Sequence, residues 1–451
     1  MPSANAPRYC IGEGAARGKR RFPQGRVTWP PLLTCNAEDL LARVSVDGPH
    51  RAFAGILASL VPSRSLNVTG EMEMALKWTA LGVLPNINMM SDVFAGEHMA
   101  LVGFQDDRFL DALANGPNLQ TFLSKFEGNH GQRLRPSLLV RSDAYPDRPN
   151  SEAISSFMDI VVACVVLDAR VRAVTWRRNV GPFHTDAFEI YPWMIDPQGK
   201  RLVAGNAALW AIHELDKFRG AASAAVPVQD VGNEPAHPRF FKQLLALWKS
   251  RFIDGHNDWT SRAILRSLKM AASAMRLSSP TGSTESFYDY GRVLSLWVSA
   301  FEILVHPGAT GKATRQRVLD LLKSIPWQSE MAREETHSAD FGGGKTFDLR
   351  LANALYMKMN DLRNNFLHGN AVEPEDFRLK NGTLILSFPA AIFRMALATI
   401  LGDPDGVTSE QVIAGEKTRE EYGKHLQATR FRNDCEECLL AAVKPQTPDD
   451  E

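Results

Sequence analysis

The stretch "LYMKMNDLRNNFLHGN", residues 355–370, carries apolar residues at helical spacing up to an end crowded with Arg363, Asn364, Asn365 and His368. The spacing predicts a helix from about 347 to 368, with Thr346 as its cap, Asp348 in its first turn and Gly369 as its stop. Leu351, Leu355, Leu362 and Phe366 make its apolar stripe. Beside them Asn360, Asn364 and His368 recur every fourth residue, each step turning about 40° on an ideal helix, and make a polar stripe.

Two readings of that polar end stand side by side. In the first, Arg363 brings a planar guanidinium suited to a phosphate and Asn364 a neutral hydrogen-bonding group. His368 sits where the helix dipole favours a cation, and histidine exchanges protons near neutral pH. These are the parts of metal-free phosphodiester chemistry. In the second reading, His368 and the asparagines cap the helix and Arg363 pairs with an acid on a neighbouring helix. Arginine a few residues before histidine is a frequent pattern here: Arg43 and His50, Arg178 and His184, Arg251 and His256, and Arg419 and His425 also have it. Only the Arg363 copy joins a following asparagine to a helix end and a glycine stop.

Around this helix the chain reads as helical. "RFFKQLLALWKSRF" (239–252), "DWTSRAILRSLKMAASAM" (258–275), "ESFYDYGRVLSLWVSAFEILVH" (285–306) and "ATRQRVLDLLKSI" (313–325) carry apolar residues three and four apart. "RLKNGTLILSF" (378–388) predicts a small hairpin around Asn381 and Gly382, and Pro389 opens "AAIFRMALATIL". Residues 238–443 are therefore expected to form an all-α bundle, followed by an acidic tail, 444–451. Before the Pro- and Gly-rich stretch "VPVQDVGNEPAHP" (226–238), residues 31–235 read as mixed α/β. There "RAFAGILASL" (51–60) and "RFLDALANG" (108–116) look helical, and "AFEIYPWMID" with "KRLVAG" (187–205) predicts a hairpin. "SEAISSFMDIVVACVVLDARVRAVTW" (151–176) predicts a buried helix, although its Val-rich middle leaves a strand open. Residues 1–30, rich in Gly, Pro and Arg, read as a disordered basic tail. The fold class expected is α+β overall.

Bulk properties bound the function. In a chain of 451 residues, 51 Lys and Arg against 51 Asp and Glu leave no net field that announces nucleic acid. The odd, scattered set of Cys10, Cys35, Cys164, Cys435 and Cys438 suits a reducing compartment, so a cytoplasmic location is expected. "IVVACVVL" (160–167) is too short to span a bilayer and is flanked by Asp159, Asp168, Arg170 and Arg172, and the N-terminus has no apolar signal core.

"RNNFLHG", residues 363–369, resembles the signature of the HEPN superfamily: Arg, a polar residue, several others, then His, near the end of a core helix. "YDYGRVLSLWVSAFEILVHPG" (288–308) is similar to an earlier helix of Apea-like HEPN domains, with an acid, Glu302, in an apolar run. The likeness covers roughly 240–440. It implies a helical domain that dimerises with its motif helices face to face and often acts as a metal-independent endoribonuclease in toxin, antiphage or RNA-processing settings. No cofactor or metal is implied. The partners implied are RNA, a second copy of the chain, and an antitoxin or activating ligand. Carried over, Arg363 would bind the scissile phosphate, His368 would move the proton, and Asn364 would orient either. Glu302, isolated in "SAFEILV", would be costly to bury unpaired, so it is expected either to orient Arg363, with Asn360 in support, or to be a partly exposed acid or one paired elsewhere. Arg363 and His368 lie five residues apart, about 140° around a helix, which agrees with a site assembled across a two-fold axis. The rival expectation is a catalytically silent module for dimerisation or for RNA or nucleotide binding.

Other motifs are set aside. "ADFGGGKT" (339–346) satisfies a relaxed phosphate-loop pattern, but the polar "SEMAREETHS" before it is no buried strand. "CEEC" (435–438) has metal-ligand spacing but no second pair. His213 and His306 read as packing or helix-terminus residues, and "FEIYPWM" as core rather than as a base-stacking platform.

Overall fold

The computed structural model describes residues 76–90, 94–128, 131–145, 150–175, 185–195, 202–204, 220–221, 229–231, 238–276, 287–308, 311–340, 346–402 and 431–444. The basic and acidic tails, "RAFAGILASL", His213 and three of the four additional Arg/His pairs lie outside the described residues.

Strands β1 (Trp78–Leu84), β2 (Met99–Val102) and β3 (Ser137–Ser142) form an antiparallel sheet with β3 in the centre. Side chains alternate across a strand, and here the alternation divides them between two cores. Val83, Ala100, Val102, Leu138 and Val140 pack with Phe109 of helix α1 (Asp107–Asn115) and with Phe122 and Phe126. Leu84, Met99, Leu101 and Leu139 face the other way, into the main core. Helix α1 starts where Asp106 accepts a hydrogen bond from the Arg108 N–H, 2.8 Å away. Trp193–Ile195 pairs antiparallel with Leu202–Ala204, the hairpin read from the sequence. Two short parallel pairings, Ile87–Met89 with Gln229–Val231 and Phe126–Glu127 with Gly220–Ala221, were not legible there.

The Val-rich segment is a helix, α2 (Ser151–Thr175), with every residue from Ser156 to Ala169 buried. Its β-branched residues are tolerated because burial on all sides outweighs the small propensity cost. It packs against α3 (Pro238–Phe252), α4 (Trp259–Ala274) and α8 (Pro389–Ile400). Phe157, Val161 and Leu167 therefore share one core with Phe241, Leu268 and Phe393, and this core runs across the boundary expected at 235–238. The helices α5 (Phe287–Leu304), α6 (Arg315–Ser324), α7 (Leu351–Leu367) and α9 (431–440) complete this layer.

The helical part is not all-α. A hairpin, β4 (His337–Asp340) with β5 (Thr346–Leu349), stands in front of α7, pairing His337 with Leu349 and Asp340 with Thr346. Helix α7 consequently begins at Leu351 with Arg350 as its N-cap residue, and Thr346 and Asp348 belong to a strand. A pairing partner up to twelve residues upstream captured the segment that local cap chemistry had assigned to the helix. The glycine-rich run of the phosphate-loop pattern, 341–345, lies outside the described residues, and the segments on either side of it are two paired strands, where a phosphate loop needs a strand and then a helix. The architecture is α+β, mainly helical, with small sheets.

Of the hairpin expected over 378–388 only the turn around Asn381 and Gly382 forms: the Leu379 N–H donates to the Thr383 carbonyl at 2.8 Å, Gly382 has φ 83°, Arg378 and Leu384 make one isolated bridge, and Ile385–Ser387 form a 3-10 turn instead of a strand. Asn381 Nδ2 also donates to the carbonyls of Ala441 and Lys444, both at 2.9 Å, which pins the last helix to this turn.

Candidate active site

Helix α7 stops at the expected glycine. The Asn370 N–H donates to the Asn365 carbonyl at 3.0 Å and the Gly369 N–H to the Phe366 carbonyl at 3.3 Å, with Gly369 at φ 71°. This is the paired 6→1 and 5→2 bonding of a left-handed C-terminal stop. It ends the helix at His368, its C-cap residue. The polar stripe crosses from core to solvent: Asn360 is buried, Asn364 half-buried and His368 exposed. The apolar stripe faces the core with Leu351, Leu355 and Leu362 buried.

Arg363 turns toward α5. Its Nη1 donates to Asn364 Oδ1 at 2.9 Å, and its Nη2 lies 3.9 Å from Glu302 Oε2. The pair is only partly buried, with side-chain exposures of 25% for Arg363 and 30% for Glu302. Burial holds the Glu302 carboxyl above the usual range, against the opposing pull of Arg363. At 3.9 Å the two are an ion pair but not a hydrogen bond. Arg363 Nε is buried without a hydrogen-bond partner. The guanidinium is aimed but not saturated.

Three sequence-selected residues, Glu302, Arg363 and Asn364, thus come together. Asn360 lies buried one turn earlier on the same helix. His368 stands apart at the exposed tip, where its side chain makes no hydrogen bond or ion pair among the described residues. The chain by itself does not close Arg363 and His368 on one point.

What fixes the angle of α7 against α5 is a glycine. Gly291 is buried, and a Cβ there would run into the ring of Phe366. Gly291→Ala is expected to cost about 1–3 kcal/mol through this overlap, partly offset by the helix propensity of alanine. A urea titration reads the cost, and a variant as stable as the wild type would show that Phe366 simply swings away.

Two groups escaped the sequence reading. Tyr356, seven residues before Arg363 and so on the same face, buries a hydroxyl without a hydrogen-bond partner near Glu302, Arg363 and Arg315. Asp361 pairs at 3.9 Å with Arg315, the first residue of α6. The seven-residue spacing was a usable signal for Tyr356. Nothing local points to Arg315, which reaches the motif helix only through the packing of α6.

The remaining candidates do ordinary structural work. Arg251 is committed to Glu152 at 2.7 Å and to Asn257 at 3.2 Å, while His256 shares a hydrogen bond with Ser250 at 3.2 Å. His306 ends α5: its carbonyl accepts from Trp259 Nε1 at 2.9 Å and its Nδ1 accepts from the Gly308 N–H at 3.2 Å. Tyr191 stacks edge-on against Phe126 at 4.9 Å, and Phe188 is buried, so "FEIYPWM" contributes to the core. Cys435 and Cys438 are fully buried, and burial pushes the Cys438 thiol up to about 12, away from the thiolate a metal needs.

No helix among the described residues is long and apolar enough to cross a membrane. No family model matches the chain, and no curated protein and no solved structure matches it.

Proposed function

We propose that the chain is a metal-independent endoribonuclease of HEPN type that works as a homodimer. The observation that carries the reading is the end of α7, where Arg363 is aimed by Glu302 and Asn364 while His368 stands exposed on the same terminus. In the reaction the ribose 2′-oxygen attacks its own phosphorus. The P–O2′ bond forms as the P–O5′ bond breaks, leaving a 2′,3′-cyclic phosphate and a 5′-hydroxyl. His368 takes the proton from the 2′-hydroxyl or delivers one to the departing 5′-oxygen, and Arg363 stabilises the charge gathering on the phosphate oxygens. DNA lacks the nucleophile. Asn364 holds the guanidinium in plane, Glu302 holds it from the neighbouring helix, and Asn360 supports them from the buried side.

A toxin or antiphage setting, with an antitoxin or activating ligand as restraint, follows from the resemblance. The buried free thiols Cys164, Cys435 and Cys438 accord with the cytoplasm. The rival, a silent RNA-binding or dimerisation module, is favoured by one fact: Arg363 already has two partners.

Purified protein is expected to cleave labelled single-stranded RNA in EDTA and leave cyclic-phosphate ends, with no cleavage of the matching DNA. Binding of the RNA without cleavage would give the rival its case.

A further inference from the structure

Helix α6 runs antiparallel to α7, and three contacts fix the register. Arg315 Nη1 lies 3.9 Å from Asp361 Oδ1, Asn353 Nδ2 donates to the Leu319 carbonyl at 2.8 Å, and Arg350 Nη1 donates to the Lys323 carbonyl at 2.6 Å. The N-terminus of this ten-residue helix therefore lies level with Tyr356 to Asp361, next along α7 from Arg363. That end carries the positive pole of the helix dipole, and Lys312 and Arg317 are exposed around it.

Arg315 and Arg363 share a design. Each faces a carboxylate at 3.9 Å, Asp361 for one and Glu302 for the other, and each is partly exposed, at 36% and 25%. Contacts this long and this wet bind weakly, so a phosphate can replace either carboxylate. A second observation points to an anion near them. The Tyr356 hydroxyl is fully buried, has no hydrogen-bond partner, and sits within reach of the charges of Glu302, Arg363 and Arg315. A buried hydroxyl without an acceptor is costly, and an anion drawn in between the two arginines supplies one.

We propose that Arg315, with the N-terminus of the helix it opens, forms a second phosphate subsite beside Arg363, which takes the RNA phosphate next to the one cleaved. The subsite rests on the ribonuclease reading above. Arg315 binds in it, and Asp361 holds Arg315 in place while competing with the phosphate. The two residues therefore have opposite effects on RNA.

The test measures binding of a 2′-O-methyl single-stranded RNA, which cannot be cleaved, across a salt series, beside cleavage of ordinary RNA. Arg315→Gln is expected to weaken binding about fivefold at ~0.1 M salt and to flatten the salt slope by about 0.7, the loss of one single-strand phosphate contact. Arg315→Lys keeps most of the slope. Asp361→Asn tightens binding about twofold. If Arg315→Gln fails to melt cooperatively, the sign of the Asp361→Asn effect decides. Variants that leave affinity unchanged, or that shift it in the same direction, overturn the subsite while wild-type cleavage keeps the ribonuclease reading. A wild type that neither binds nor cleaves RNA removes that reading, and the subsite with it.

Discussion

Equal amounts of Arg363→Ala and His368→Ala chains, coexpressed, are expected to recover about a quarter of wild-type cleavage, although each variant alone has almost none. The single losses are large because the two residues do different work. Removing a positioned proton-transfer group costs about 10²–10⁴ in rate, and removing a charge from the transferring phosphate about 10²–10³. The recovery follows from where the residues stand. Arg363 turns inward toward Glu302, whereas His368 occupies the exposed tip beyond the last turn. If each site takes its arginine from one subunit and its histidine from the other, a mixed dimer has one site that lacks both and one that lacks neither. Half of the dimers are mixed and each has one working site of two, which gives the quarter. Initial rates in EDTA on a labelled RNA measure it, with the whole mixture purified through one tag common to both chains; mixed dimers isolated through two different tags are expected to reach about half. A dead mixture beside an active wild type would mean that one chain supplies both residues.

Local signals in the sequence were strong wherever local chemistry decides the structure. The Gly369 stop, the apolar stripe of α7 and the turn at Gly382 each depend on a few neighbouring residues, and each is where the pattern places it. The pairing of Glu302 with Arg363 was also within reach, because an acid in an apolar run needs a cation. What could not be read depends on distant partners. Thr346 looks like a cap until His337–Asp340 arrives to pair with its strand. Arg315 looks like a surface residue until α6 lies along α7. The linker-like composition of 226–238 suggested two cores, yet α2, more than fifty residues upstream, fills the middle of the helical layer. Asp159 and Asp168 border the apolar run in the sequence, but both are inside.

Asp168→Asn is expected to be among the most destabilising changes in the chain, at about 3–5 kcal/mol, because it strands a buried cation. Arg394 is 2% exposed, its guanidinium lies 3.4 Å from the ring centroid of Phe240 and 4.1 Å from that of Phe431, and its Nε is 3.4 Å from Asp168 Oδ1. The group ties α2, α3, α8 and α9 into one core. A guanidinium does not give up its proton at any ordinary pH, so without Asp168 its charge remains. The reverse change is gentler. Burial pushes the Asp168 carboxyl up to about 7 even against the pull of Arg394, so in Arg394→Met, where methionine fills most of the volume, the acid escapes by taking a proton. That variant is expected to lose about 1–3 kcal/mol near pH 6. Its loss relative to the wild type grows only above about pH 7: from about 4 to 7 both folded proteins keep a proton that the unfolded chain releases and lose stability together, and beyond that only the variant, without Arg394 to lower it, still holds the proton. Asp168→Asn has no such proton to lose, so its own stability does not fall over this range and its deficit relative to the wild type shrinks as pH rises from about 4 to about 7. Urea titrations of both variants at pH 5, 6, 7 and 8 separate the two behaviours. Equal, pH-independent losses would mean that the stacked rings, and not the ion pair, set the cost.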